Sequence, residues 1–137
     1  FDVVAIGSST GGPGLVERIV AGLPADLRAP VLVAQHMPPT FTQSFAQTLA
    51  RESPLAVYHA EDGMPVVPGT VYVGRGHQHL RVAGGAARPR LEVSPEPTAL
   101  LYRPSADELF ASCARVFGGQ TLAVVMTGIG KDGVVGA

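Results

Sequence analysis

The sequence predicts a three-layer α/β fold in which a mainly parallel, doubly wound sheet carries an antiparallel hairpin extension. Short apolar runs alternate with segments whose apolar residues recur at helical spacing. Between residues 61 and 93 this alternation gives way to short strands separated by turns. The 137 residues, 46% of them hydrophobic and 15% charged, are enough for one domain, 1–137, with a sizeable core. Such alternation is typical of Rossmann-like folds.

The first half of the chain contains two predicted buried strands with a helix between them. Residues 2–6 are predicted to form the first strand, because the continuous apolar run 3–6 leads into a glycine turn. A helix is predicted from Pro13 to Leu23, because proline suits a first helical turn and Pro24 ends the pattern. The second strand is 30–35, and the prolines at 38 and 39 prevent its ladder from continuing.

Beyond residue 39 the chain contains two further predicted helices. Thr40 or Thr42 is expected to cap a helix that runs to about Arg51, and a short strand follows at 55–58. Antiparallel strands are expected at 70–73, 80–82 and 91–93. A loop at 95–103, a helix at 104–117 and a buried strand at 121–126 complete the prediction. Cys113 lies on the apolar stripe of that last helix and is predicted to be a core residue.

Charge and composition exclude several classes of partner. The formal net charge is −1 with scattered basic residues, so the chain lacks the basic patch of a nucleic-acid-binding protein. One cysteine cannot form an internal disulfide, which favours a reducing, cytoplasmic location. No apolar run is long enough to span a bilayer, and the N-terminal residues lack a signal pattern. We therefore expect a protein or small-molecule partner and no membrane insertion.

The segment Gly7–Gly12 (GSSTGG) directly follows the first strand. It fits the G-x-S-x-G pattern of a nucleophile elbow, which exposes a serine, here Ser9, at a sharp turn from strand to helix. Glycines permit the unusual backbone angles of such a turn. An ordinary glycine-rich turn has the same composition, so this segment alone leaves both interpretations open.

Three candidate residues, Ser9, His36 and Asp132, each follow a predicted strand. Because ligands bind outside the carboxyl ends of parallel strands, these residues are expected to converge at one sheet edge. Serine is unreactive at its own pKa, a histidine with the ordinary pKa of about 6.5 can take its proton, and an aspartate can fix the histidine tautomer. Their order along the chain differs from that of the α/β-hydrolases, so the set predicts the chemistry without that fold.

Glycine loops at strand ends can also cradle a phosphate, which leaves a nucleotide-binding domain open as another function. The segment Gly7–Gly12 lacks the second glycine of G-x-G-x-x-G. Gly130-Lys131 is followed by Asp132, where a phosphate-binding P-loop has Ser or Thr. Both departures count against nucleotide binding, and no cofactor is expected.

Three histidines invite a metal-site interpretation. His77 and His79 are two residues apart, and His59 lies in the preceding strand region. No cysteine or second ligand motif accompanies them. They are therefore predicted to be surface or hinge histidines, and no metal site is expected.

Ordered sequence blocks along nearly the whole chain carry a family resemblance. They are AIGSSTGG (5–12), QHMPP (35–39), FT (41–42), SFA (44–46), DG (62–63), PGxVYV (68–73), HL (79–80), RPSxDxLF (103–110) and TGIGxDG (127–133). Together they resemble the catalytic domain of bacterial chemotaxis receptor methylesterases, the CheB family. The resemblance implies hydrolysis of γ-glutamyl methyl esters on the cytoplasmic domain of methyl-accepting chemoreceptors, and in some members deamidation of receptor glutamines.

The resemblance also implies a role for each candidate residue. Ser9 is the expected nucleophile, His36 the base and Asp132 the orienting acid. Backbone N–H groups near Thr10 and Ile129 are expected to hold the oxyanion.

Several positions depart from the family pattern or lack an assigned role. Ile129 stands where the family commonly has Met, and Ser8 stands where Ala is common. Arg103 and Ser105 are assigned no catalytic role.

Members of the family usually carry an N-terminal receiver domain, and their catalytic domains continue beyond the Asp-Gly loop. The sequence is therefore expected to be a C-terminally shortened catalytic domain whose parent protein has a receiver domain. A receptor-binding module that has lost turnover is the alternative that this departure leaves open.

Overall fold

The computed structural model describes residues 1–100, 102–126 and 132–137, and within these ranges the chain forms three layers. The elements in chain order are β1 (Val3–Ser8), α1 (Gly12–Ala21), β2 (Val31–Gln35), α2 (Pro39–Glu52), β3 (Ala56–His59), β4 (Thr70–Val73), β5 (His79–Ala83), β6 (Arg90–Ser94), α3 (Ala106–Phe117) and β7 (Thr121–Val125). A short 3₁₀ turn, Gly118–Gln120, joins α3 to β7. This arrangement confirms the predicted α/β class.

The middle layer is a parallel sheet whose strand order, within the described residues, is β3-β4-β2-β1-β7. On one side of β1, Ser8 lies opposite Gln35 of β2, and on the other side Gly7 lies opposite Val125 of β7. The chain leaves β1 towards β2 and reaches the far side of β1 only with β7. The carboxyl end of β1 is therefore the point where the strand order reverses, which is where ligands bind in open α/β sheets.

The two faces of the sheet bury alternate residues of the same strands. Ile6 and Val33 belong to the core beside α1 and α2, whereas Ala5 and Leu32 belong to the core beside α3 and the β5–β6 hairpin. Helix residues in the first core are Val16, Val20, Phe45 and Leu49. Burying one Leu, Ile or Phe side chain contributes about 1.5–3 kcal/mol, so a one-residue slip of these strands would be costly.

The prediction of three antiparallel strands is wrong for one of them. Residues 70–73 form β4, which is parallel and lies between β3 and β2, with Val71 opposite both Val57 and Val31. All four residues are buried, as expected of a strand with neighbours on both sides. The turn residues Pro68 and Gly69 resemble a hairpin signal, but the chain uses them to enter the sheet. Within the described residues, β5 and β6 form the one antiparallel pair of strands, with His79 opposite Ser94.

The predicted helices exist, but their starts differ. Pro38 precedes α2 as the N-cap, and the hydroxyl of Thr42 donates to the carbonyl of Pro39 at 3.2 Å, so neither predicted threonine caps this helix. Ser105 caps α3 by accepting a hydrogen bond from the Glu108 N–H. Cys113 is fully buried in α3, as predicted, and burial raises the pKa of its thiol to about 12.

Helix α3 packs very closely on β1, and Gly7 is the residue that permits this approach. A Cβ atom at Gly7 would lie 2.6 Å from the Cβ of Ala106 and 3.1 Å from Cζ of Phe110. Real side chains do not tolerate the first distance, so any larger residue would push the start of α3 away from the sheet.

We expect Gly7→Ala to lower the free energy of unfolding by about 1–3 kcal/mol, the usual cost of overpacking. Gly14→Ala is the matched control, because Gly14 is an exposed position of helix α1 and a Cβ added there would meet no other part of the protein within 4 Å. That change should raise stability by about 0.8–1 kcal/mol. Urea unfolding of both variants tests this, and a Gly7→Ala variant as stable as wild type would contradict the close packing of α3.

Candidate active site

The backbone brings Ser9 and His36 side by side at the carboxyl edge of the sheet. The His36 N–H donates to the carbonyl of Ser8 at 2.9 Å, which continues the pairing of β1 with β2 by one residue. Ser9 then turns sharply: its carbonyl accepts from the Gly12 N–H at 2.8 Å. Gly11 adopts φ 77°, in the left-handed region that glycine occupies without strain. The predicted strand–turn–helix context of Ser9 is therefore present. Ser9 itself is only 5% exposed, so the prediction of an exposed serine at this turn is wrong.

The side chain of Gln35 connects the loop that contains Ser9 to the loop that contains His36. Its amide is buried at the end of β2, and Nε2 donates to the carbonyl of Ser9 at 3.0 Å and to that of His36 at 3.3 Å. A single side chain therefore bridges the main chain of both candidate residues. The sequence offered one signal for this role, a polar residue at the end of an otherwise apolar buried strand.

The structure also brings His36 and Asp132 together. His36 Nε2 lies 2.6 Å from Asp132 Oδ2, and the side chains are only 13% and 6% exposed. The two residues are 96 positions apart in the chain, so the fold alone creates this contact. In nucleophilic relays a short, largely buried bond between imidazole and carboxylate orients the histidine, so this pair has the geometry for that role.

The Asp132 carboxylate sits on the N-terminus of α3. Oδ1 accepts from the Ser105 hydroxyl at 2.7 Å and from the Asp107 N–H at 3.0 Å, and Oδ2 accepts from the Ala106 N–H at 2.6 Å. The first N–H groups of a helix have no partner within the helix, and the helix dipole favours an anion there. Asp132 thus occupies a ready-made anion site.

These contacts decide the ionisation of Asp132. Burial alone would raise the pKa of the carboxyl, but hydrogen bonds from His36, from the Asp107 and Ala106 amides and from Ser105 outweigh burial. The pKa of Asp132 is therefore held well below its ordinary value, and the group is ionised near neutrality.

An ionised Asp132 fixes the tautomer of His36. A carboxylate only accepts hydrogen bonds, so the imidazole hydrogen must be on Nε2, which faces Asp132 Oδ2. The lone pair of the neutral ring is then on Nδ1. This nitrogen is buried and hydrogen-bonds to no residue in the described part of the chain. Nδ1 is therefore the nitrogen of His36 that can accept a proton.

The two neighbouring serines differ in their surroundings. Ser8 Oγ is buried without a hydrogen-bond partner among the described residues, and it lies only 1.7 Å from where a Cβ of Gly12 would be. The Ser8 hydroxyl therefore points into the start of α1. No hydrogen bond joins Ser9 Oγ to either ring nitrogen of His36. The structure thus joins two of the three predicted residues and places the third beside them through its backbone.

Tyr102 covers the face of His36. The two rings stack in parallel, with centroids 4.2 Å apart and planes 1° apart. Tyr102 also lines two clefts, of about 340 Å³ beside His36 and His77 and of about 440 Å³ beside Asp132. It forms a shared wall between them. No periodicity marks a single aromatic residue in a predicted loop, so the sequence carried no signal for this contact.

Ser105 was also missed as a site residue, although the sequence contains a signal for it. Ser105 and Glu108 have the Ser-x-x-Glu spacing of a capping box, which marks a helix N-terminus and hence an anion site. Thr10 is exposed at the turn after Ser9. Ile129, the other predicted oxyanion residue, lies outside the described residues.

The three histidines outside the site have separate surroundings. His77 is exposed, with φ 65°, and His59 Nε2 lies 3.0 Å from the Thr42 hydroxyl. Burial, together with the nearby charge of Arg75, lowers the pKa of His59. His79 is 1% exposed, so its prediction as a surface or hinge residue is wrong.

The described residues include neither a metal-binding cluster nor a membrane-spanning helix. They contain no cluster of three or more His, Cys, Asp or Glu side chains placed to hold a metal ion. None of their helices is both long and apolar enough to cross a bilayer.

The fold and the site define a parallel α/β domain with a carboxylate-anchored histidine at its switch point. A model of the CheB methylesterase family matches residues 4–137. The solved CheB methylesterase catalytic domain of Thermotoga maritima gives a TM-score of 0.93 at 40% identity, over 98% of this chain and 71% of that one.

Named relatives agree with this match. The chain is 47% identical to protein-glutamate methylesterase/protein-glutamine glutaminase 2 of Caulobacter vibrioides, over 100% of this chain and 40% of that protein. It is 44% identical to protein-glutamate methylesterase/protein-glutamine glutaminase of Pyrococcus horikoshii, over 97% of this chain and 36% of that protein. The chain thus spans about two fifths of the length of these curated relatives. It belongs to the CheB methylesterase family.

The depressed pKa of Asp132 predicts a specific acid sensitivity. Its carboxylate stabilises the fold above the unfolded-state pKa of about 3.9, and this contribution is lost as the pH falls below that value towards the folded-state pKa. Wild type should therefore exceed Asp132→Asn in unfolding free energy at pH 7, and the difference should shrink at about pH 3. Urea unfolding at both pH values measures it, and a difference independent of pH would contradict an ionised, helix-bound Asp132.

Proposed function

We propose that this chain hydrolyses γ-methyl esters of glutamate side chains, with Ser9 as nucleophile, His36 as general base and Asp132 as the residue that orients His36. The carboxylate-anchored imidazole beside the Ser9 turn carries the proposal, because it leaves Nδ1 with a lone pair at the edge of the sheet. Membership of the CheB methylesterase family supports this choice of reaction.

The proposed reaction has two halves. Ser9 Oγ attacks the ester carbonyl while His36 Nδ1 takes the hydroxyl proton, and Asp132 stabilises the resulting imidazolium. The bond from the acyl carbon to the methoxy oxygen then breaks, and His36 returns the proton to the leaving methanol. Water attacks the glutamyl-serine ester with the same proton transfers, which releases the glutamate carboxylate and restores Ser9.

The oxyanion that forms in each half needs hydrogen-bond donors. In the proposal, the main-chain N–H groups near Thr10 and Ile129 supply them, each contributing about 3–4 kcal/mol to the transition state. Main-chain donors do not depend on the side chain, so Ile129 in place of the more common Met is compatible with this role.

The relatives' names also suggest a wider substrate range. They include protein-glutamine glutaminase, and a glutamine carboxamide presents the same acyl centre with ammonia as the leaving group. In the proposal, the substrate is the cytoplasmic helical domain of methyl-accepting chemoreceptors, the enzyme acts in the cytoplasm, and a receiver domain in the parent protein regulates it. Family membership supports each of these assignments.

The chain contains its own control for the proposed nucleophile. Ser9→Ala should lower kcat by about 10³- to 10⁶-fold, because removing a nucleophile disables the relay as a unit. Ser8→Ala should keep kcat within about twofold and should not lower stability, since the lost hydroxyl has no hydrogen-bond partner among the described residues.

Methanol release from a γ-methyl-glutamyl receptor fragment measures both variants. Loss of turnover in Ser8→Ala with full turnover in Ser9→Ala would reverse the assignment of the serines. Equal turnover in both variants and wild type would remove the serine mechanism. Receptor binding without turnover in wild type would instead indicate a binding module.

A further inference from the structure

His79 is a buried histidine that the reaction as described does not use. It is the first residue of β5, and both of its ring nitrogens have polar partners. Nδ1 lies 3.2 Å from the main-chain nitrogen of Ser105, and Nε2 lies 2.9 Å from the carbonyl oxygen of Pro97. An N–H group only donates and a carbonyl only accepts, so the ring is neutral and carries its hydrogen on Nε2. Both hydrogen bonds together fix its orientation.

Ser105 connects His79 to the candidate active site. Its N–H donates to His79, its hydroxyl donates to Asp132 Oδ1 at 2.7 Å, and the same hydroxyl accepts from the Glu108 N–H at 3.3 Å. Ser105 is only 3% exposed, so water is a poor substitute for these partners. A continuous series of hydrogen bonds therefore runs from His79 through Ser105 and Asp132 to His36.

Strand β5 contacts α3 at two further points. Arg81 Nε lies 2.7 Å from Glu108 Oε2, and the Val82 N–H donates to the Ser112 hydroxyl at 3.0 Å. The first of these contacts holds a side chain of the first helical turn, and the second holds the middle of the helix. The His79 contact differs from them because it holds the residue that caps the helix and touches Asp132 directly.

We propose that His79 is a positioning residue for ester hydrolysis, acting through Ser105 to hold Asp132 and hence the plane of the His36 ring. The expected effect on kcat rests on the proposed function. The claim that His79 holds Ser105 and Asp132 in place rests on the hydrogen bonds alone. Because His79 touches neither Ser9 nor the clefts beside His36 and Asp132, its loss should lower kcat and leave KM nearly unchanged.

Two substitutions separate the two hydrogen bonds of His79. The amide oxygen of His79→Asn can occupy the place of Nδ1 and accept from Ser105, but this side chain is too short to reach Pro97. His79→Gln places its amide near Nε2, so it keeps the contact with Pro97 and loses the acceptor for Ser105. Ser112→Ala is the matched control, because it also leaves a buried β5–α3 contact unpaired, at Val82, without touching the capping residue.

The test measures kcat and KM for release of methanol, urea unfolding midpoints, and hydrogen exchange of the Ala106 and Asp107 amides by NMR. We expect His79→Gln to lower kcat by about 10- to 100-fold, the loss typical of removing a hydrogen-bond partner behind a functional ligand. The kcat of His79→Asn should fall by less than about threefold. Ser112→Ala should be less stable than wild type but have the same kcat. The Ala106 and Asp107 amides should exchange faster in His79→Gln than in His79→Asn.

Several outcomes would overturn the positioning role. One is an equal loss of kcat in all three variants, which would indicate general destabilisation. Another is a folded His79→Asn variant whose kcat falls by more than about tenfold. If His79→Gln does not fold, the kcat of His79→Asn alone tests the positioning role. If wild type hydrolyses no ester, the proposed function fails, and amide exchange alone then decides: equal protection in both His79 variants would remove the link to Asp132.

Discussion

The candidate site depends on one buried anion bound to the start of a helix. A carboxylate as enclosed as Asp132 would ordinarily take up a proton, because burial disfavours charge. Helix α3 prevents this with two main-chain N–H groups and the hydroxyl of Ser105, and His36 supplies a fourth donor. The ionised state of Asp132 determines how His36 can act. The hydrogen of the imidazole is fixed on Nε2, and the lone pair on Nδ1 remains available for proton transfer.

The packing of the domain serves this contact. Helix α3 reaches the end of the sheet because Gly7 leaves room for Ala106 beside β1, and the β5–β6 hairpin holds the other side of the helix. Gln35 fixes the two loops that follow β1 and β2. The site is therefore assembled from the loops that follow β1 and β2, from the turn that contains Asp132 and from the N-terminus of α3, all at one edge of the sheet.

The sequence predicted the location of a residue correctly where a single structural rule determines that location. Parallel strands bring their carboxyl ends to one edge, so Ser9 and His36 could be placed there, and the contact of His36 with Asp132 follows from the same rule. The rule failed for β4, because turn residues before a strand do not reveal whether the strand joins a hairpin or enters a parallel sheet. Tyr102 and His79 could not be assigned either, since stacking and burial in these regions depend on tertiary contacts that have no sequence period. Ser105 could have been found, because its capping pattern marks the anion site that Asp132 occupies.

The contact with Asp132 leaves His36 with its hydrogen on Nε2 and no hydrogen on Nδ1. NMR of ¹⁵N-labelled histidine tests this directly, with the His36 signals assigned by their absence in His36→Gln. When the ring is neutral, Nε2 should carry a hydrogen that is shielded from exchange, and Nδ1 should have the shift of an unprotonated nitrogen. A neutral ring with its hydrogen on Nδ1 and an unprotonated Nε2 would contradict this assignment, because the base nitrogen would then face Asp132 and could not take a proton from Ser9.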